Sequence, residues 1–133
     1  MKQNNVLQSG DRAAANRENV AAKTDSEAKL KAYLGFSVRS GKIALGADKI
    51  EEERRGVYLI LADSALGKTA MKRLKAASER LGAKLYLYKE KLGELLSIPA
   101  AKAAALKDKN LAKAAEGAVQ ASEKWNLYSE GEI

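Results

Sequence analysis

The chain has no cysteine and no histidine. Lacking cysteine, it has no disulfides, thiolate zinc sites or thiol nucleophiles; lacking histidine, it has no imidazole general base. A catalytic triad or a transition-metal site then has few parts left, and neither a catalytic residue nor a metal or other cofactor is expected. Aromatic residues make up only 5% of the 133 positions, so the core must be built from Leu, Ile, Val and Ala. No run approaches the ~20 apolar residues of a membrane span. The first residues, MKQNNVLQSGDRAAANREN, hold none of the apolar stretch that a secretory signal needs. A cytoplasmic protein with no membrane partner is expected.

Apolar residues are plentiful, at 46%, and the net charge is +7. The length suits one domain with short tails. Residues 27–122 carry 19 Lys and Arg against 11 Asp and Glu, a net of +8. The excess therefore belongs to the folded body, and a basic body of this size points to a polyanionic partner, nucleic acid first.

Residues 1–25 mix Asn, Gln, Ser, Ala and both charges without hydrophobic periodicity, and read as a disordered or weakly helical tail. From Ser26, a candidate N-cap, Leu30, Tyr33, Leu34 and Val38 recur at helical spacing up to Ser40-Gly41. Lys42 to Leu45 is a short extended piece, and Ala47 to Arg55 a second helix that Gly56 ends. Val57 to Ala62 is a near-continuous apolar strand. Ser64 to Leu81 is a helix stopped by Gly82, and Lys84 to Tyr88 a strand. Lys91 to Leu96 is a short helix closed by Ile98-Pro99. Ala101 to Leu106 is a small apolar strand, and Asn110 caps a last helix running to about Val119. Residues 123–133 form a partly ordered tail from which Trp125 and Tyr128 can dock. Helices alternating with strands imply an α/β fold, a three-layer α/β/α sandwich with a mixed sheet of about four strands over residues 26–122.

Ala62-Asp63-Ser64-Ala65-Leu66-Gly67-Lys68-Thr69 fits a relaxed phosphate-loop pattern. Such loops work through consecutive backbone amides that face the phosphates. Ala62 stands where the first glycine permits the turn, and Asp63 brings the wrong charge. No other strand ends in the metal-binding aspartate that Thr69 would need. The residues read as a helix cap followed by a solvated basic face of Lys68, Lys72, Arg73 and Lys75. Glu51-Glu52-Glu53 fan around a helix instead of converging as an acid/base pair, and read as an exposed face that offsets Arg54-Arg55.

The segment LGFSVRSGKIALGADKI, followed by RRGVYLILADSA, resembles the kink-turn RNA-binding family of large-subunit ribosomal proteins, especially its small bacterial ribosomal-protein-like members. Arg39-Ser40-Gly41-Lys42, Gly46, Arg55-Gly56, Val57 to Ala62, and Asp63 carry the likeness. Leu92-Gly93 before a loop, a small apolar strand and a final helix extend it over residues 27–120. The resemblance implies an α/β/α sandwich that sets the start of its second helix against the sheared G·A pairs of a kink-turn. By position it implies Gly46, Ala47, Asp48 and Lys49 at that helix start, Lys42 beside the turn, and Ile98 and Pro99 as an apolar cover for a flipped-out base. This chain has Asp48-Lys49 where the family commonly has Asn or Lys, then Glu or Gln. An aspartate can accept from a guanine amino group but repels phosphate, whereas Lys49 can donate to guanine O6 or N7.

The sequence is thus that of a non-enzymatic, monomeric protein that binds structured RNA, ribosomal RNA by resemblance. A protein-interaction adaptor of the same fold, without specific RNA recognition, is the alternative, and the Asp48-Lys49 departure favours it.

Overall fold

The computed structural model describes residues 15–131, with side chains from Ser26 onward. The element order is α1 (Ala15–Ser40), β1 (Ile43–Leu45), α2 (Ala47–Glu52), β2 (Leu59–Asp63), α3 (Lys68–Leu81), β3 (Lys84–Tyr88), α4 (Leu92–Leu96), β4 (Ala103–Leu106), α5 (Lys109–Gln120) and β5 (Trp125–Ser129). The strands form one mixed sheet in the order β1-β4-β2-β3-β5, in which only β2 and β3 run parallel.

Helices cover both faces. Alternate strand residues face opposite ways, and the burial divides accordingly. Leu59, Leu61, Tyr86, Tyr88, Ala104 and Leu106 join α1, α4 and α5 in one core. Ala44, Ile60, Leu85, Ala103 and Ala105 join α2 and α3 in the other. Every residue of β2 and β4 is buried, which is why their sequences read as continuous apolar runs. Three of the four β4 residues are alanine, so a helix can approach closely on either side. Amphipathic spacing sets the helical faces: α3 buries Met71, Leu74, Ala77 and Ser78, and α5 buries Ala112, Ala115, Ala118 and Val119.

Four local expectations need correction. The helix expected from Ser26 begins at Ala15, so Ser26 lies within α1 and caps nothing. Residues 15–25 are rich in Ala, Glu, Arg and Lys, good helix formers, and they extend a helix already nucleated by the packing of Leu30 and Leu34; residues 1–14 of the expected tail lie outside the described residues. Helix α2 ends at Glu52, before Arg54-Arg55. The last helix is capped by Asp108, whose side chain accepts from Leu111 N, and not by Asn110. The C-terminal segment expected to be a partly ordered tail supplies a fifth strand.

Two features hold that strand. The Trp125 ring stacks on Tyr88 with centroids 4.4 Å apart, a close stacked contact at the short limit for attracting aromatic pairs. At the other end, the Ser78 hydroxyl donates to the Ala83 carbonyl and shares a 3.0 Å hydrogen bond with Ser129. Both serines are buried, so the pairing meets the requirement that buried polar groups be satisfied.

The turn after α4 depends on Gly93. A Cβ there would lie 2.6 Å from the Ile98 carbonyl oxygen and 2.7 Å from that of Pro99. Ile98 N donates to Gly93 O, and Ser97 takes the left-handed conformation at φ 59°. Gly93→Ala must therefore push residues 97–101 off the helix. It is expected to cost about 1–3 kcal/mol, as overpacking does, measurable by urea unfolding.

Burial pushes the Tyr88 hydroxyl up to about 12, with the Glu27 and Glu90 carboxylates adding to the rise. The folded chain thus keeps a proton that the unfolded chain loses near pH 10. The stability this contributes is complete below pH 10 and is lost as pH rises through about 12. Tyr88→Phe should flatten the part of the alkaline decline that Tyr88 causes, followed as Tm against pH.

Candidate nucleic-acid interface

Because β1 and β4 are antiparallel, the end of β1 meets the start of β4. Gly46 sits at that junction: its N–H donates to Ala103 O, and its carbonyl accepts from Ile50 N. Its φ of 92° and ψ of 150° suit only glycine. One residue therefore closes the β1–β4 ladder and opens α2, bringing Gly46, Ala47, Asp48 and Lys49 to the same end of the sheet as residues 98–102. Ile98 is half-buried against the α1/α4/α5 core and Pro99 is exposed. The helix start and the apolar loop thus share one end of the sheet but lie in opposite layers.

Lys42 is not with them. Ile43 pairs with Leu106, and Lys107 N donates to Lys42 O. Lys42 therefore lies at the far end of β1, where its ammonium approaches Asp108 at 3.9 Å. The expectation that it joins the other candidate residues fails because it precedes the strand that they follow.

Asp48 and Lys49 differ in their surroundings. The Asp48 side chain is 82% exposed, and its Oδ1 accepts from Arg73 Nη2 at 2.6 Å. Arg73 also grips Glu51, with Nη2 to Oε1 at 2.5 Å and Nε to both carboxylate oxygens at 3.1 Å. The Arg73 hydrogen bond holds Glu51 below its ordinary pKa, and the two carboxylates raise that of Arg73. Glu53 in turn pairs with Lys107 at 3.1 Å. The glutamate run thus finds partners on α3 and beyond β4, and not in Arg54-Arg55. Lys49 is exposed and, among the described residues, has no ion pair; it borders a shallow depression of about 270 Å³ along β1, lined also by Ile43, Ala44, Leu45 and Glu53.

The same end collects further cations that sequence reasoning passed over. Lys68 starts α3, Lys89 and Lys91 follow β3, and Lys102 precedes β4. Among the described residues, none of these four lysines makes an ion pair. Lys124, before β5, is the exception, held 3.2 Å from both Glu27 and Glu90. The strand order places these lysines along the sheet edge from β1 to β3. They are scattered in sequence, and only the crossovers align them.

The Asp63 carboxylate is committed to backbone amides of the chain itself. It is buried, its Oδ1 accepts from Ala65 N at 2.9 Å, and its Oδ2 accepts from Leu92 N at 3.1 Å. The carboxylate accepts from the first amide of α4 and so caps that helix instead of the expected α3. Gly67 stands at the N-cap of α3 and supplies no side-chain cap. Among the described residues, no group of three or more acidic side chains is arranged to hold a metal, and no helix is long and apolar enough to cross a membrane.

Asp63→Ala would leave both amides without their acceptor. The expected loss is about 1–3 kcal/mol for each amide that stays unsatisfied, read as a fall in the denaturation midpoint. Lys68→Ala should leave the chain's response to ATP or GTP with magnesium unchanged, checked by a phosphate-release assay.

No family model and no curated protein matches the chain. Among solved structures it is similar to a protein of unknown function from Bacillus halodurans C, at 15% identity and a TM-score of 0.61. The match covers 69% of this chain and 97% of that one. At that identity the likeness establishes a shared α/β fold, with a five-strand mixed sheet between helices in the present chain.

Proposed function

We propose that the chain is a non-enzymatic RNA-binding protein of the kink-turn family that the sequence resembles, acting on structured RNA in association with the ribosome. One observation carries this reading. Five exposed lysines, without ion pairs among the described residues (Lys49, Lys68, Lys89, Lys91 and Lys102), lie at the end of the sheet that the α2 start and the apolar loop 98–102 share. A row of ammonium groups released from internal pairing suits a phosphate backbone. An apolar loop beside it suits a base drawn out of its stack, the form in which RNA sequence is most readily read. At the opposite end of the sheet, Lys42 and Lys107 are engaged with Asp108 and Glu53.

In this reading Lys49 donates to a guanine edge, Gly46 and Ala47 allow close approach of the backbone, and Ile98-Pro99 covers an unstacked base. Lys102 and Lys91 hold phosphates. The test is binding to a kink-turn RNA and to the same RNA with its G·A pairs replaced, over a range of salt concentrations. Lys49→Ala should lose discrimination between the two RNAs, by ~1–3 kcal/mol for a two-pronged contact and less for a single bond. Lys102→Gln should weaken both complexes about equally and flatten the salt dependence. Lys42→Ala should change binding less than either. If the wild-type chain binds both RNAs equally, kink-turn specificity is lost and only general RNA binding survives. If it binds neither at low salt, a protein-interaction adaptor of the same fold replaces this function.

A further inference from the structure

Asp48 is an odd residue to find in an RNA interface, because a free carboxylate repels phosphate. The structure supplies a reason to keep it. Arg73 reaches over from α3 and binds only one of its oxygens, Oδ1, at 2.6 Å. Among the described residues, Oδ2 accepts no hydrogen bond. With the side chain 82% exposed, that oxygen faces solvent in the first turn of α2, next to Lys49. The same guanidinium is anchored by three hydrogen bonds to Glu51, one turn along α2. Arg73 thus fixes Asp48 from a planar fork whose own position is set by a second carboxylate, the geometry in which arginine holds acidic groups most firmly. It also offsets the negative charge of Asp48 and Glu51.

A carboxylate held in this way has one oxygen committed and one presented. The presented oxygen is acceptor-only and cannot pair with phosphate or with a carbonyl. It can accept from an N–H on a base. Beside a lysine that donates to guanine O6, a complementary donor on the same edge of the base is the guanine exocyclic amine. We propose, resting on the RNA-binding reading above, that Arg73 is the positioning residue of the interface: it orients Asp48 so that Oδ2 accepts from a guanine amino group, making the chain selective for guanine at that point. Arg73 itself touches no RNA in this arrangement. Its contribution passes through Asp48, and the residue that departs from the family pattern becomes the one that reads the base.

Inosine tests this, because it is guanine without the exocyclic amine. The measurement is the affinity ratio between a kink-turn RNA and the same RNA with inosine in place of the guanines of its G·A pairs. Inosine also alters the RNA on its own, so the ratio for Asp48→Ala serves as the baseline. The wild-type ratio is expected to exceed that baseline by about tenfold or more, the scale of one hydrogen bond to a charged acceptor. Arg73→Gln should fall to the baseline, and Arg73→Gln with Asp48→Ala should go no lower. A purely structural role for Arg73 would weaken both RNAs together and leave the ratio at its wild-type value, and that result overturns the proposal. If Arg73→Gln does not fold, Arg73→Lys keeps the charge but gives up the fork; its ratio should also fall, and an unchanged ratio again overturns the proposal. A wild-type ratio equal to that of Asp48→Ala, with tight binding to the guanine RNA, removes the guanine contact and leaves RNA binding standing. Absence of binding to any RNA at low salt removes both.

Discussion

One buried carboxylate governs the end of the molecule where the candidate interface lies. Asp63 closes β2, and around it meet the loop into α3, the start of α4 and the entry to β4. Its side chain satisfies amides of the first two, and its backbone N–H donates to Lys102 O in the third. A buried acid is costly unless its lone pairs are met, and two directed N–H groups meet them here. The cost of misplacing that charge makes the three connections move as a unit. Residues 98–102 are then fixed from two sides, by Asp63 and by the close approach of Gly93.

Charge is distributed to suit such a frame. Asp48 and Glu51 of α2 are drawn onto Arg73, and Glu53 just past it onto Lys107, whereas the lysines at the β1-to-β3 end have no ion pairs among the described residues. Exposed ion pairs of this kind add little to stability. Their effect is on the surface potential, since each pair offsets the charge of an exposed acid. The chain thus carries many carboxylates and still presents a basic edge.

The layers were legible where a residue's neighbours in sequence decide its fate. The apolar run 57–62 and the alternation in KLYLY identify the central strands, and the 3.6-residue spacing identifies α3 and α5. Contacts between distant residues were not legible. Asp63 looks like a local helix cap in sequence, yet its second partner, Leu92, lies 29 positions away. Asp48 looks unpaired, yet Arg73 is 25 positions further on. The last strand was hidden for another reason. A register shift opposite Leu85/Tyr86 leaves Asn126, Leu127 and Tyr128 all exposed, so the period of two that marks a strand is broken. In the candidate site, glycine and loop positions gave the α2 start and residues 98–99 correctly as one end of the sheet. Lys42 was misplaced because closeness in sequence to Gly46 conceals the length of a strand between them.

The stack of Trp125 on Tyr88 also gives the protein a built-in optical probe. The chain has a single tryptophan, located where the final strand joins the sheet. Its emission therefore monitors the attachment of that strand, separately from the backbone signal of the helices. Spectroscopically, peeling of the C-terminal edge and melting of the two helical layers are distinguishable events in this molecule.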